Sequence, residues 1–315
     1  MNTPRSPLPL KKGDTLGIFA PAGQLSDKNR FHNGVAVLRE MGFNVVFPRD
    51  LWPGKEYLAD NDENRASEFN RLFGDPEVGA VIASRGGYGC LRMIDKIDLA
   101  LVTTHSKMII GFSDITVLQN YLYQKAGLIS LHGPVVTSLG DTSSPALERF
   151  FLSLTGRWDE PLVVKKIEIL RDGPTLTAPL VGGNLASLTS LLGSPYDFSW
   201  DDKIVFFEDI NEPAYRVDRM LTQLSLAGKL DRLAGLLVGD FSGLYPGNSA
   251  QQISYLETLW KRILELCKKG DFPIWGNFPS GHTQHNLTLP VGALTQMQSG
   301  KCRLLFPSAR TRYGI

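Results

Sequence analysis

Ser113 has the surroundings that point most directly to chemistry. Met108-Ile109-Ile110-Gly111 reads as a buried strand, Phe112-Ser113-Asp114 as a tight turn, and Val117, Leu118 and Tyr121 then recur at helical spacing. Strand, turn and helix in that order can lift a serine oxygen above a sheet, the setting of a nucleophile elbow. The trailing glycine of G-x-S-x-G is missing, because Ile115 stands there, and Ser113 or Asp114 could equally cap the helix. A second segment, Ser84-Arg85-Gly86-Gly87-Tyr88-Gly89, follows another strand-like run. Glycines let backbone N–H groups face a ligand as an anion nest or oxyanion hole, although a plain tight turn has the same composition. Phosphate binding is open to such a loop, but neither G-x-x-x-x-G-K-S/T nor a full G-x-G-x-x-G is present.

Acid–base groups come from two later segments. Ile204-Val205-Phe206-Phe207 is a hydrophobic strand that ends in Glu208-Asp209, with Glu212-Pro213 just beyond. These acids could serve a catalytic base, or Asp209 and Glu212 could cap the next helix. Phe278-Pro279-Ser280-Gly281-His282-Thr283-Gln284-His285 offers two histidines three residues apart. On a helix they could ligate a metal, but Pro279 and Gly281 argue for a loop, and carboxylates at metal-site spacing are absent, so no metal is expected. His132, beside Gly133-Pro134, reads as structural, and His32 and His105 as surface residues. Serine, acid and histidine in that chain order also occur in α/β hydrolases, where roles rather than positions define a triad.

Several elements must position these groups. In the first half, strand-like runs at 15–20, 43–47, 79–83 and 107–110 alternate with helical patterns. One helix carries Phe31, Val35, Leu38 and Met41 on one face, with Ser26 as its expected cap and Gly42 as its stop; the other carries Ala66, Phe69, Leu72 and Phe73. Strands joined by helices imply parallel pairing, so this half is expected to be an open, mostly parallel sheet with helices on both faces, flavodoxin- or Rossmann-like. The second half mixes short strand candidates at 167–170, 204–207, 233–238 and 302–306 with helices near 185–192, 214–226 and 251–268. Ser299-Gly300, between two apolar stretches of 287–306, is a hairpin signal. A smaller α+β domain built on a β-barrel is expected there. Asp141, Ser143, Ser144 and Pro145 mark a composition change, which suggests a first domain over 1–150, a linker over 151–165 and a second domain over 166–315.

Composition narrows the function classes. The 315 residues carry 33 basic and 32 acidic side chains, a net charge of +1, which leaves no basic footprint for nucleic acid. Hydrophobic residues at 43% and charged residues at 21% describe an ordinary globular chain. No run reaches the ~18 apolar residues of a membrane helix, so no membrane partner is expected. Residues 1–14 lack an apolar core of signal length, from which a cytoplasmic location is expected. Cys90, Cys267 and Cys302 are odd in number and far apart, so no disulfide framework is indicated.

Across these segments the sequence resembles the LD-carboxypeptidases, the murein tetrapeptide carboxypeptidase family of serine peptidases. The matching blocks are Phe19-Ala20-Pro21-Ala22, Arg85-Gly86-Gly87-Tyr88-Gly89, Gly111-Phe112-Ser113-Asp114, His132-Gly133-Pro134, Gly182-Gly183-Asn184-Leu185, Glu208-Asp209 with Glu212-Pro213, and Pro279-Ser280-Gly281-His282. The resemblance implies a triad of Ser113 as nucleophile, His282 as general base and then acid, and Glu208 as the residue that orients it. Glu208 rather than Glu212 takes that place as the first acid after the strand. Backbone N–H groups of Gly87 and Asp114 are the implied oxyanion hole, and Arg85 with Gly86 would meet the substrate, the guanidinium matching a terminal carboxylate or else bracing the glycine turn. The implied reaction releases the terminal D-alanine of a cell-wall tetrapeptide, a muropeptide substrate, during cytoplasmic recycling by a homodimer with no cofactor. A related branch, the microcin C self-immunity peptidases, shares the triad and cleaves a peptidyl-nucleotide. A non-catalytic sugar- or nucleotide-binding protein using the glycine loop is a reading of another class.

Overall fold

Strands buried on both faces form the middle of each half of the chain. The structure, a computed structural model, describes residues 4–47 and 49–307. In chain order the elements begin β1 (Thr15–Phe19), α1 (Lys28–Glu40), β2 (Asn44–Val46), α2 (Asp62–Gly74), β3 (Val78–Ala83), α3 (Cys90–Met93), α4 (Leu99–Thr104), β4 (Met108–Gly111), α5 (Thr116–Ala126), β5 (Ser130–His132), α6 (Val136–Leu139) and α7 (Ser144–Leu154). They continue β6 (Leu162–Val163), β7 (Glu168–Arg171), β8 (Leu176–Asn184), α8 (Leu185–Ser190), β9 (Ile204–Ile210), α9 (Ala214–Leu226), β10 (Gly235–Ser242), α10 (Ser249–Leu266), β11 (Ile274–Gly276), β12 (Leu289–Val291), β13 (Leu294–Gln298) and β14 (Arg303–Leu305). The chain divides into two units, 1–158 with 284–292 and 159–283 with 293–315.

The first unit is the open, mostly parallel sheet that the alternating pattern predicts. Its order is β12-β5-β4-β3-β1-β2, with β1 to β5 parallel and only β12 antiparallel, against β5. The parallel part, 2-1-3-4-5, is the flavodoxin-like order, in which ligands meet the carboxyl ends of strands near the β1/β3 switch point. The loops after β1, β3 and β4 leave from that edge and carry Pro21–Gly23, Ser84–Gly89 and Phe112–Asp114. Ile18, Phe19, Ile82, Ile109 and Ile110 are fully buried, as a sheet covered on both faces requires. Helix α2 buries Ala66, Phe69, Leu72 and Phe73 on the expected face and packs Phe69 on Phe19 at 5.5 Å between ring centres. Helix α1 starts one residue later than the Ser26 cap implies. Asp27 accepts the Arg30 N–H at 3.0 Å, and a carboxylate there also favours the positive helix end.

The second unit holds an eight-stranded sheet in the order β6-β14-β13-β8-β9-β10-β11-β7, curled into half a barrel. Strands β8 to β11 are parallel neighbours and the outer pairings are antiparallel. Helix α9 spans the residues its periodicity predicts, and β13 and β14 pair across Ser299–Lys301 as the Ser299-Gly300 signal implies. Strand β12, from the same stretch, instead pairs with β5 of the first sheet. Strand β8, the longest, escapes the sequence pattern because Pro179, Gly182 and Gly183 all weigh against a central strand. Gly182 explains its own presence: at φ +136° an added Cβ would sit 1.9 Å from the Phe206 carbonyl oxygen on β9. We therefore expect Gly182→Ala to cost about 3 kcal/mol or more, from backbone strain and overpacking together. A thermal unfolding midpoint equal to that of the parent would contradict this.

Candidate active site

In the first unit, Ser113 stands at the end of β4 in the left-handed region, at φ +63°. Few non-glycine residues adopt that conformation, and it persists only where the surroundings impose it. Residues Ser113–Ile115 form one 3-10 turn that leads into α5, and neither turn nor helix has a side-chain cap. The capping alternative is thus not realised. Asp114 is buried and its Oδ2 accepts the Cys90 N–H at 2.8 Å. Gln119 of α5 donates its side-chain amide to the carbonyls of Gly111 and Leu131, tying the ends of β4 and β5 to the helix.

The glycine loop runs directly against the serine. A Cβ placed on Gly86 would lie 2.7 Å from Ser113 Cβ and 2.8 Å from its Oγ. Arg85, on the same loop, donates from Nε to the Gly86 carbonyl at 3.2 Å and from Nη1 to the Gln24 carbonyl at 2.8 Å. Gly87 and Gly89 hold φ +119° and +133°, so the turn needs its glycines.

In the second unit, Glu208 and His282 come together. Glu208, on β9, is fully buried, and its Oε2 lies 2.7 Å from His282 Nδ1. The loop bearing His282 presses onto the strand: Phe278 N–H donates to the Val238 carbonyl, and Asp240 N–H to the Ser280 carbonyl. Gly281 makes the approach possible, because at φ +125° its Cβ would meet Glu208 Oε2 at 2.7 Å. With Nδ1 engaged by a carboxylate, Nε2 is the nitrogen able to exchange a proton with a hydroxyl. Burial opposes the imidazolium, but the charge and hydrogen bond of Glu208, with Asp209 and Asp240 adding to them, raise His282 above its ordinary value.

Asp209 points elsewhere, as alternation along a strand requires. It accepts from Asn184 Nδ2 and the Ala186 N–H, both at 3.0 Å, while Asn184 Oδ1 caps α8 through the Ser187 N–H. Asp209 therefore serves α8 rather than α9, and the Glu212 carboxylate faces Arg216 at 3.7 Å while its carbonyl accepts the Tyr255 hydroxyl at 2.9 Å. Burial, then the neighbouring Glu208 charge, push Asp209 up to about 6. The holding role of Asn184 and Asp209 was open to the sequence in one respect, since Asn184 precedes a helical run. His285 faces Ser143 Oγ at 3.0 Å in the first unit, so the two histidines have different partners. His132 is buried edge-on to Phe112. Among the described residues no cluster of three or more metal-ligating side chains occurs, no helix is long and apolar enough to cross a membrane, and the three cysteines are free thiols.

Comparison with known proteins matches residues 16–133 to the LD-carboxypeptidase N-terminal domain and residues 177–297 to the LD-carboxypeptidase C-terminal domain. A Bacillus subtilis protein named "Probable murein peptide carboxypeptidase" is 34% identical over 298 residues, 94% of this chain and 92% of that one. The crystal structure of muramoyltetrapeptide carboxypeptidase from Oxalobacter formigenes aligns with a TM-score of 0.77 at 31% identity, over 92% of this chain and 97% of that one. The Escherichia coli Microcin C7 self-immunity protein MccF is 27% identical over 321 residues, 90% of each chain. MccF in complex with glutamyl sulfamoyl guanosine shares the fold, at a TM-score of 0.84 and 23% identity over 95% of this chain and 97% of that one.

The raised His282 sets a measurable expectation. A histidine raised on folding stabilises the fold fully below its unfolded value of ~6.5, and that contribution is lost as pH rises through the folded value. Glu208→Gln removes the largest attraction, so the His282 imidazole should titrate at lower pH in that variant. An NMR titration showing an unchanged or higher midpoint would contradict the pairing.

Proposed function

The chain belongs to the LD-carboxypeptidase family of peptidases, and from that premise we propose that it releases the terminal D-alanine of cell-wall tetrapeptides by a Ser113–His282–Glu208 mechanism. The observation that carries this reading is the 2.7 Å bond between buried Glu208 and His282, the geometry of an oriented base. His282 Nε2 takes the Ser113 Oγ proton as Oγ attacks the carbonyl carbon at the L-centre of the diamino residue. The resulting oxyanion is received by the Gly87 and Asp114 N–H groups. The imidazolium then returns its proton to the departing amine of D-alanine, leaving an acyl-serine. Water, deprotonated by His282, hydrolyses that ester and restores the Ser113 hydroxyl. Glu208 holds the imidazole in one tautomer and stabilises its charged form throughout.

Arg85 is our candidate for the substrate's terminal carboxylate. It shares the loop of Gly86 beside Ser113, and Nη2 is the nitrogen not engaged by the Gly86 and Gln24 carbonyls. Our reading also includes a place in cytoplasmic murein recycling and a homodimeric assembly, both suggested by the family resemblance. A second reading, cleavage of a peptidyl-nucleotide, draws on the likeness to MccF. By sequence identity the murein relatives are more similar, at 34% and 31% against 27%, which supports the first, whereas the MccF structure superposes with the higher TM-score, 0.84 against 0.77.

Ser113→Ala is expected to lower kcat by a factor on the order of 10⁴–10⁶, since triad members act as a unit. Glu208→Gln should be nearly as damaging and Glu212→Gln far less. D-Alanine release from an L,D-tetrapeptide measures all three. Retention of more than about a tenth of activity in Ser113→Ala would exclude that nucleophile. Activity that EDTA abolishes and zinc restores would replace the serine mechanism with a metal one.

Arg85→Lys should lower kcat/KM for the free acid more than for the corresponding C-terminal amide, because a lysine cannot brace the loop and present the Nη2 donor at once. Equal losses on both substrates, with a lowered melting temperature, would leave Arg85 as a brace.

A further inference from the structure

We propose that the Asp114 side chain is a positioning residue that fixes the two oxyanion donors at one spacing, in addition to any part its backbone plays. The inference rests on the serine mechanism proposed above. Its starting point is that the two donors lie on different segments. Gly87 N–H belongs to the loop after β3, and Asp114 N–H to the turn after β4. The ladder between β3 and β4 pairs Ala80 with Met108, Val81 with Ile109 and Ile82 with Ile110. Both segments then leave the sheet, so strand pairing does not set the distance between the donors.

The Asp114 carboxylate crosses that gap. Its Oδ2 accepts the N–H of Cys90 at 2.8 Å, and the Cys90 thiol and the Gly89 backbone also face it. Cys90 opens α3, whose preceding residue Gly89 has no side chain with which to cap it, so the cap comes from the neighbouring segment. The other end of the loop is held separately, where the Gly86 carbonyl accepts the Gly23 N–H at 3.2 Å and Arg85 Nε. Gly87 therefore lies between two anchors, one of which is the residue after the nucleophile. Asp114 is 6% exposed, a position where an unbonded carboxylate would be costly. Burial raises its proton affinity, yet the hydrogen bonds favour the charged form that accepts them. Donors for a transition-state charge act through pre-set placement, so a shift of the loop should be felt in kcat rather than in substrate affinity.

The experiment compares Asp114→Asn, which keeps an acceptor oxygen, with Asp114→Leu, which has similar size and none. Three quantities are read: kcat and KM on an L,D-tetrapeptide, the rate of Ser113 labelling by a fluorophosphonate, and the melting temperature. Asp114→Leu should lower kcat and labelling about 100-fold, the scale of losing one oxyanion donor, with KM within about threefold. Asp114→Asn should recover to within about fivefold of the parent. If Asp114→Leu lacks the native circular dichroism, Asp114→Ala is judged by the same criteria. Equal kcat losses in the Asn and apolar variants, or an apolar variant within about threefold of the parent, would overturn the inference alone. A parent protein that releases no D-alanine and is not labelled at Ser113 would overturn the serine reading, and this inference with it.

Discussion

A fully buried carboxylate at the end of a central strand constrains the rest of the second unit. Glu208 has no exposed surface, and its Oε2 is bonded to His282 at 2.7 Å. A buried charge without such a partner is expensive, and a buried pair survives only with good geometry. The geometry here needs β8 and β10 on either side of β9, a loop that descends onto the strand, and a glycine at 281. The adjacent acid, Asp209, takes the opposite face and is met by Asn184 and the first turn of α8. Two successive acids are thus kept apart by the two-residue period of a strand.

The first unit meets a different demand, which is to hold one serine in a conformation it would not adopt alone. Helix α5 supports that conformation. Thr116 to Leu122 are all buried, so the helix has no solvent face along its first two turns, and its position is set by packing all round. Gln119 reaches back to the carbonyls of Gly111 and Leu131 and satisfies groups at the strand ends. Strain of this kind costs on the order of 1–3 kcal/mol and persists only where neighbouring structure over-determines it. A buried helix and a buried carboxylate on either side of the turn supply that over-determination.

Much of this was legible because it is local. The strand–turn–helix around Ser113, the apolar faces of α1 and α2, the bounds of α9 and the β13–β14 hairpin follow from periodicity and turn residues. The departures are non-local in origin. Strand β8 carries Pro179 and two glycines because its neighbours demand close approach, a requirement that no window of sequence displays. Strand β12 joins the first sheet although its neighbour β13 joins the second, and local pattern cannot distinguish partners. The choice between Ser26 and Asp27 as a cap is settled by one residue of register. In the candidate site, the role of Asp209 depends on a helix 23 residues earlier in the chain. Residue type told that an acid was there, but not which face it would take.

The charges at the second-unit site also make the stability of the fold depend on pH. His282 is raised on folding, and Asp209 is raised from near 3.8 to about 6. Each group therefore binds a proton more tightly in the native state than in the unfolded chain. By linkage, stability falls as pH rises wherever the native state holds the extra proton. For Asp209 that window runs from about 3.8 to about 6, and for His282 it begins near the unfolded value of ~6.5 and continues upward. The Asp209 penalty is thus largely in place by about pH 6, whereas the stabilisation from His282 is lost only above ~6.5. A carboxylate held for stability alone would be lowered by its partners, the reverse of Asp209. Asp209 lies on the other face of β9 from His282, yet its charge still adds to the attraction that raises the imidazole. Burial and like charge shift Asp209, and neighbouring carboxylates shift His282 against its own burial; shifted groups of this kind cluster where a proton has to move.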